Sequence, residues 1–173
     1  SQVDVDEPAG EPDKVTCWGS MQCPFYIQKA LSPLFDIKKD DIRIVQTETG
    51  GGFGGKEEYP NMIAGHAALL SWKAGGRPVR LVYDREEDLW ATTKRHPSKS
   101  TIKAGFDDEG NLQALDIDFN LNGGGYRTLT STVLSRGVLH SWGPYNCPHT
   151  TIRARSWFSN SNPYGAFRGF GAP

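Results

Sequence analysis

A cluster of glycines is the feature that most constrains how this sequence can fold. Residues 45–61 read VQTETGGGFGGKEEYPN, with five glycines around Phe53. Because glycine loses more conformational freedom on folding than any other residue, such a cluster indicates positive φ angles or a partner packed against bare backbone. The cluster also separates a strand-like run from a helix-like run. Two explanations are open at this point: a bound ligand, and a glycine-rich turn that binds nothing.

Two phosphate-binding patterns match this loop. Gly50, Gly52 and Gly55 fit G-x-G-x-x-G, and residues 50–56 fit G-x-x-x-x-G-K. The second pattern requires Ser or Thr after the lysine to hold Mg²⁺, but Glu57 stands there and places negative charge beside the phosphates. The first pattern requires an acidic residue about twenty positions further on, where the sequence has none. Neither nucleotide interpretation is favoured.

Length, charge and composition exclude several classes of protein. With 173 residues, the chain can form one ordinary domain or two small ones. Its formal net charge is -1 and it has no basic stripe, so we expect no nucleic-acid partner. No apolar run approaches the length of a membrane span, and the acidic N-terminal segment is unlike a secretory signal. We therefore expect a soluble, cytoplasmic protein with no membrane partner.

Cysteine and histidine spacing predicts no metal site made by side chains. Cys17, Cys23 and Cys147 include no C-x-x-C pair, which favours reduced, structural thiols. None of the four histidines has a partner at metal-ligand spacing, and no Ser, His and Asp arrangement stands out. No metal is therefore assigned to any side chain.

Apolar periodicity predicts an α+β domain. We expect residues 1–13 to be a loose N-terminal segment, and residues 14–173 to form one domain with a mixed, largely antiparallel sheet packed with helices. The charged run REEDLW is predicted to be a solvated turn. Strands are predicted in KVTCWGS, DDIRIVQTE, RPVRLVYD and HTTIRARSWF, helices in PFYIQKALSPLF, EEYPNMIAGHAALLSWKAGG and TSTVLSRGVLHSW, and a hairpin in TIKAGFDDEGNLQALDIDFNLN.

A second phenylalanine between glycines lies near the C-terminal end of the sequence. The segment GAFRGFG, residues 165–171, repeats the pattern of GGFGG around Phe53. A ligand approached by backbone from two sides would need such accessible N–H groups. The repetition therefore favours the ligand over the empty turn.

These segments resemble a known family. GGGFGGKE and AFRGFGAP are similar to two cofactor-loop motifs of the large molybdenum-cofactor subunits in the xanthine dehydrogenase and aldehyde oxidase group. The run RPVRLVYDREEDLWATTKRHPS is similar to that family's connecting segment, and the resemblance covers residues 14–173. It implies a molybdopterin-binding domain of the xanthine oxidase type.

The resemblance implies a set of cofactor-binding residues. Gln22 resembles the glutamine that hydrogen-bonds near the oxo group of the metal. Phe53 resembles the loop residue whose backbone faces the cofactor, and Gly52 and Gly54 flank it. Arg168 resembles the arginine of the second cofactor loop. Amide and N–H groups suit an anionic, oxygen-rich group because charge-assisted hydrogen bonds are the stronger kind.

It also implies substrate-binding residues. Glu57 and Arg136 resemble the glutamate and arginine that bind the heterocycle in purine-hydroxylating members, and Phe170 resembles a ring that packs on the substrate. Members that oxidise simple aldehydes generally differ at the first two positions. Structural alternatives are a helix-surface charge for Arg136 and a first-turn residue, stabilised by the helix dipole, for Glu57.

The resemblance implies part of a molybdenum hydroxylase that oxidises an N-heteroaromatic, xanthine-like substrate with water-derived oxygen. Its cofactor would be molybdopterin, in simple or dinucleotide form, and electrons would leave through 2Fe-2S and FAD on partner domains or subunits. No residue matches the family's general-base glutamate, which belongs to a motif beyond the second loop. We therefore assign no catalytic residue and expect the isolated chain to be inactive. The alternative is a non-catalytic binding or scaffold domain that retains the fold.

Overall fold

The computed structural model describes residues 2–6, 10 and 12–172. They form two compact units, Ser1–Thr92 and Thr93–Pro173, where one domain was expected. The strands and helices in chain order are β1 (Gln2–Asp6), β2 (Lys14–Gly19), α1 (Pro24–Phe35), β3 (Ile42–Gln46), α2 (Pro60–Lys73), β4 (Val79–Arg80), α3 (Arg85–Ala91), β5 (Ser98–Phe106), β6 (Leu112–Gly124), α4 (Thr130–His140) and β7 (His149–Phe158).

The first unit is built on a four-stranded sheet with the order β3-β2-β1-β4. β2 pairs in parallel with β3, and β1 pairs antiparallel with β2 and β4. Ile27, Leu31 and Phe35 recur every four residues in α1, so they share the face that the helix buries. The buried core side chains of this unit are Val15, Cys17, Met21, Ile27, Leu31, Phe35, Ile42, Ala64, Ala67 and Ala68.

The expectation of a loose segment over residues 1–13 was wrong for its first part. Residues 2–6 form β1, in which Val3 pairs with Cys17 and Gln2 pairs with Arg80. The run QVDVD has the period-two alternation of a strand, which the prediction of a loose, acidic segment overlooked. Hydrogen bonds to β2 on one side and to β4 on the other stabilise this short strand. Residues 7–9 and 11 lie outside the described residues.

The second unit is built on a three-stranded sheet with the order β5-β6-β7. β5 and β6 form the predicted antiparallel hairpin, in which Ile102 pairs with Ile117, and β7 then runs parallel to β6 after α4. Leu121, Val133 and Ala166 form the buried cluster between the sheet, α4 and the C-terminal loop. This loop is therefore packed into the unit.

The α+β class is confirmed, with three antiparallel and two parallel strand pairs among the described residues. The strands belong to two sheets, whereas a single mixed sheet was expected. Local periodicity identifies strands but does not say which of them pair, because pairing depends on contacts between distant residues.

The charged run REEDLW is a helix, so the predicted turn was wrong. The Glu87 N–H donates to the Asp84 carboxylate at 2.8 Å, and the Asp84 N–H donates to the Glu87 carboxylate at 3.0 Å. This capping box satisfies two N–H groups at the start of α3. The predicted strand RPVRLVYD is confined to Val79–Arg80. Within the part of the chain that the structure describes, no helix is both long and apolar enough to span a membrane.

Candidate functional site

The first glycine loop contains an unusual turn. The Gly55 N–H donates to the Gly52 carbonyl at 2.8 Å, and both central residues have positive φ, 52° for Phe53 and 89° for Gly54. Positive φ at both central positions is the feature of a type I′ turn, which glycine adopts easily and phenylalanine does not. The Phe53 side chain is 66% exposed. A strained backbone thus presents an exposed ring at the tip of the turn, as is common at functional sites.

Gln22 holds this turn in place. Its Oε1 accepts hydrogen bonds from the N–H groups of Gly54 (2.9 Å) and Lys56 (3.3 Å), and its own backbone N–H donates to the Lys56 carbonyl (2.7 Å). Lys56 Nζ donates to Ser20 Oγ at 2.8 Å. A Cβ at Gly52 would overlap the Gln22 amide, so the contact requires glycine.

The orientation of the Gln22 amide determines what it can bind. Because Oε1 accepts from the loop, the Nε2 group supplies the remaining donors, and no described residue accepts a hydrogen bond from it. The side chain is exposed. This donor and the strained turn beside it fit an anionic, oxygen-rich group such as molybdopterin.

Glu57 follows the turn and precedes the helix. Its N–H donates to the Gly54 carbonyl at 3.3 Å, and its side chain is half-buried. Since α2 begins at Pro60, Glu57 is not a first-turn residue, and the helix-dipole explanation for its position was wrong. Burial raises the pKa of the Cys23 thiol, and the negative charge of Glu57 raises it further. The electrostatic influence of this carboxylate therefore reaches the start of α1.

The same turn recurs in the second unit. The Ala172 N–H donates to the Gly169 carbonyl at 2.9 Å, and the central residues Phe170 and Gly171 have φ angles of 51° and 95°. Asp36 is the third described non-glycine residue with positive φ, beside Phe53 and Phe170. Each predicted loop thus contains a Gly-Phe-Gly turn with a strained phenylalanine.

Arg136 lies on helix α4 and contacts the Phe170 ring of this second turn. The Arg136 guanidinium carbon lies 4.8 Å from the centroid of the Phe170 ring. A Cβ at Gly171 would overlap the Val133 carbonyl, and a Cβ at Gly137 would come within 2.6 Å of the Phe119 ring. The two glycines therefore let helix and loop approach closely, and the cation–π contact depends on that approach.

Arg168 lies in the same loop, and its hydrogen-bond partner, Arg95, was not predicted from the sequence. The Arg168 side chain is exposed, and its carbonyl accepts a hydrogen bond from Arg95 Nη2 at 2.6 Å. The neighbouring His96 is buried, contacts Thr130 Oγ1 through Nε2 at 2.8 Å, and has its pKa lowered by that burial. The only feature of the sequence that pointed to Arg95 and His96 was the position of KRHPS in the connecting segment.

A wide groove elsewhere contains none of the predicted site residues. It has a volume of about 720 Å³ and lies on β5, β6 and β7, where Asp116 and Arg153 form an ion pair at 2.5 Å. Both side chains are well exposed, so the pair is a surface feature of the sheet. Size alone therefore does not identify the functional site.

The predicted residues fall into two clusters, one in each unit. Gln22, Gly52, Phe53, Gly54 and Glu57 lie together in the first unit. Arg136 and Phe170 are in contact in the second unit, and Arg168 lies two residues before Phe170. Their roles towards a cofactor or substrate stay predictions.

The sequence matches the molybdopterin cofactor-binding domain family over residues 2–173. It is 45% identical over 141 residues to a probable xanthine dehydrogenase subunit of Bacillus subtilis (strain 168), and the match covers 82% of this chain and 18% of that protein. It is 35% identical over 154 residues to the nicotinate dehydrogenase large molybdopterin subunit of Eubacterium barkeri, and the match covers 89% of this chain and 36% of that protein.

A solved structure has the same fold. Quinoline 2-oxidoreductase from Pseudomonas putida 86 matches with a TM-score of 0.79 and 27% identity, over 98% of this chain and 22% of that chain. This chain thus spans between 18% and 36% of the length of these relatives. Because the family matches nearly every residue, the chain belongs to the molybdopterin cofactor-binding domain family of the xanthine dehydrogenase and aldehyde oxidase group.

Proposed function

We propose that this chain forms part of a molybdenum hydroxylase that oxidises a planar, N-heteroaromatic substrate of the xanthine type with oxygen derived from water. The observation that carries the proposal is the Arg136 guanidinium over the Phe170 ring, at 4.8 Å from its centroid. An aromatic face and a fixed cation together suit a flat ring on which negative charge develops. Electrons would leave through 2Fe-2S and FAD groups on partner domains or subunits.

Backbone groups and polar side chains would hold the cofactor. In the first unit these are Gln22 Nε2 and the backbone of residues 52–54, and in the second unit the backbone and side chain of Arg168. When bound, the molybdopterin group, in simple or dinucleotide form, supplies two-electron redox chemistry and activates the oxygen that water provides. The protein contributes binding, orientation and hydrogen bonds to that group.

Arg136, Glu57 and Phe170 would hold the substrate. Attack at an electron-poor ring carbon builds negative charge on the heterocycle, and the Arg136 guanidinium would stabilise that charge. The Glu57 carboxyl group would hydrogen-bond a ring nitrogen or an exocyclic oxygen, and Phe170 would pack on the ring face. The names of the three relatives above, for xanthine, nicotinate and quinoline, all refer to planar N-heteroaromatic compounds and support this substrate class.

No described residue is proposed as the general base, so the 173-residue chain is not expected to turn over substrate by itself. The alternative function, a non-catalytic binding or scaffold domain, predicts a folded full-length protein that takes up no molybdenum. Elemental analysis of the purified full-length protein distinguishes the two. The expected result is bound molybdenum.

Arg136→Met in the full-length protein tests the substrate role. We expect kcat/KM for xanthine or nicotinate to fall by about 10² to 10³, since a charged donor to the transition state is lost. Molybdenum content should not change, because Arg136 is not proposed to touch the cofactor. Arg127→Met, at another exposed arginine, is the matched control. Equal kcat/KM in wild type and Arg136→Met would refute the role, and faster turnover of benzaldehyde than of any heterocycle would refute the substrate class.

A further inference from the structure

The segment Lys94–His96 makes three contacts with two parts of the second unit, the C-terminal loop and α4. The Lys94 carbonyl accepts a hydrogen bond from the Gly165 N–H at 2.9 Å, at the start of the loop. Arg95 Nη2 donates to the Arg168 carbonyl at 2.6 Å, and His96 Nε2 lies 2.8 Å from Thr130 Oγ1. This segment therefore links the loop that contains Phe170 to the first residue of α4.

The Arg95 contact fixes the peptide that leads into the strained turn. The Phe170 N–H donates to the Phe167 carbonyl at 2.7 Å, so the Arg168 peptide lies inside one turn and directly before the next. The orientation of its carbonyl determines the direction in which the chain enters Gly169 and Phe170. A hydrogen bond from a guanidinium is stronger than one between neutral groups, and Arg95 therefore restrains this peptide.

The neighbours of Arg95 give it a fixed position. His96 is 7% exposed and Thr130 is 5% exposed, so their contact is buried. Arg95 and His96 also line a cavity of about 100 Å³ together with Phe167 and Gly171. Loss of the Arg95 side chain would leave the loop beside unfilled space, into which it could move.

We propose that Arg95 is a positioning residue, which holds the Phe170 ring against Arg136 and so determines how tightly the substrate binds. This inference rests on the proposed function of Arg136 and Phe170. Arg95 is not proposed to touch substrate or cofactor. Because Arg95 acts on the loop that contains Phe170, which is proposed to pack on the substrate, its effect should fall on substrate binding more than on the chemical step.

Steady-state kinetics of the full-length protein with Arg95→Ala and Arg95→Lys test the proposal. For xanthine or nicotinate, we expect KM to rise about tenfold in Arg95→Ala and less in Arg95→Lys, with kcat changed less than about threefold. Because Arg95 is exposed, added guanidinium at millimolar concentration should lower the KM of Arg95→Ala. General loss of stability would not be rescued, since guanidinium destabilises folded proteins. Unchanged KM in Arg95→Ala, or no rescue, would overturn the proposal.

Amide hydrogen exchange provides a readout that does not require activity. In Arg95→Ala, exchange should increase in peptides covering residues 165–172 and not elsewhere in residues 93–172, whereas the control Arg127→Ala should match wild type. Unchanged exchange in 165–172 would also overturn the proposal. A molybdenum-free, inactive wild type would refute the proposed function instead, and the exchange result would then decide alone whether Arg95 fixes the loop.

Discussion

Phe53 and Phe170 have φ angles of 52° and 51°, in a region that phenylalanine rarely enters. For an L-residue this conformation costs about 1 to 2 kcal/mol, because Cβ approaches the neighbouring carbonyl. Glycine at either position would avoid that cost. We propose that the ring at each turn tip contacts a bound cofactor or substrate, and that this contact offsets the strain.

A β-branched residue at Phe53 should increase this strain. We expect Phe53→Val in the full-length protein to lower the free energy of local opening by about 1 to 2 kcal/mol, while Phe53→Gly changes it by less than about 1 kcal/mol. Native-state hydrogen exchange of residues 47–59 measures that free energy. Phe158→Val is the control, because Phe158 is 76% exposed but lies in β7, where valine fits. Equal exchange in Phe53→Val and wild type would contradict the strain argument.

The role of a single residue could be predicted where the residue type itself indicates it. It could not be predicted where the role depends on a contact with a residue far away in the sequence. The glycine and phenylalanine patterns in the sequence were enough to identify both turns. That Gly52 must be glycine follows from the Gln22 amide beside it, 30 positions away along the chain. The contact of Arg95 could not be predicted, because its partner is the carbonyl of Arg168, and any residue has a carbonyl.

At the scale of elements, close packing of α4 on the second loop sets the geometry of the candidate substrate site. Gly137 and Gly171 allow the contact, and Arg136 precedes Gly137 on the same helix turn. The position of the guanidinium over Phe170 therefore depends on a helix–loop distance that side chains at the two glycines would increase.

Gly137→Ala should increase that distance. The added Cβ would lie 2.6 Å from the Phe119 ring and 3.3 Å from the Gly171 carbonyl, so the helix or the Phe119 ring must shift. We expect a stability loss of about 1 to 3 kcal/mol and a lower kcat/KM for the heterocycle, measured by unfolding and steady-state kinetics of the full-length protein.

Two further variants control this prediction. Ser135→Ala adds no bulk on the same helix, and its exposed position should leave kcat/KM unchanged. Phe119→Leu in the Gly137→Ala background should restore part of both losses, because the smaller side chain makes room. No recovery in the double variant would mean that the clash with Phe119 is not the cause.

Elements with a strong local pattern were predicted, and elements that depend on distant partners were not. The β5–β6 hairpin, α1, α2 and α4 were predicted from apolar periodicity and turn residues, and the structure confirms them. β1 pairs with β2 and β4, and its alternating run QVDVD was overlooked in a segment that was predicted to be loose. α3 was missed because its capping box was taken for a charged turn.

At the scale of the whole molecule, the two compact units each carry one Gly-Phe-Gly turn and part of the predicted site. The first unit contributes the Gln22 donor and the Glu57 carboxylate, and the second contributes Arg136 stacked on Phe170. Each unit thus contains residues that are proposed to bind the cofactor and residues that are proposed to bind the substrate. We propose that Gln22 Nε2, in the first unit, donates a hydrogen bond to molybdopterin in the full-length protein.

A crystal structure of the full-length protein, purified with its cofactor, tests this proposal most directly. The measured quantity is the shortest distance from the cofactor to Gln22 Nε2. The account predicts a molybdopterin atom within about 3 Å of this group. A molybdopterin that makes no hydrogen bond with Gln22 would contradict it.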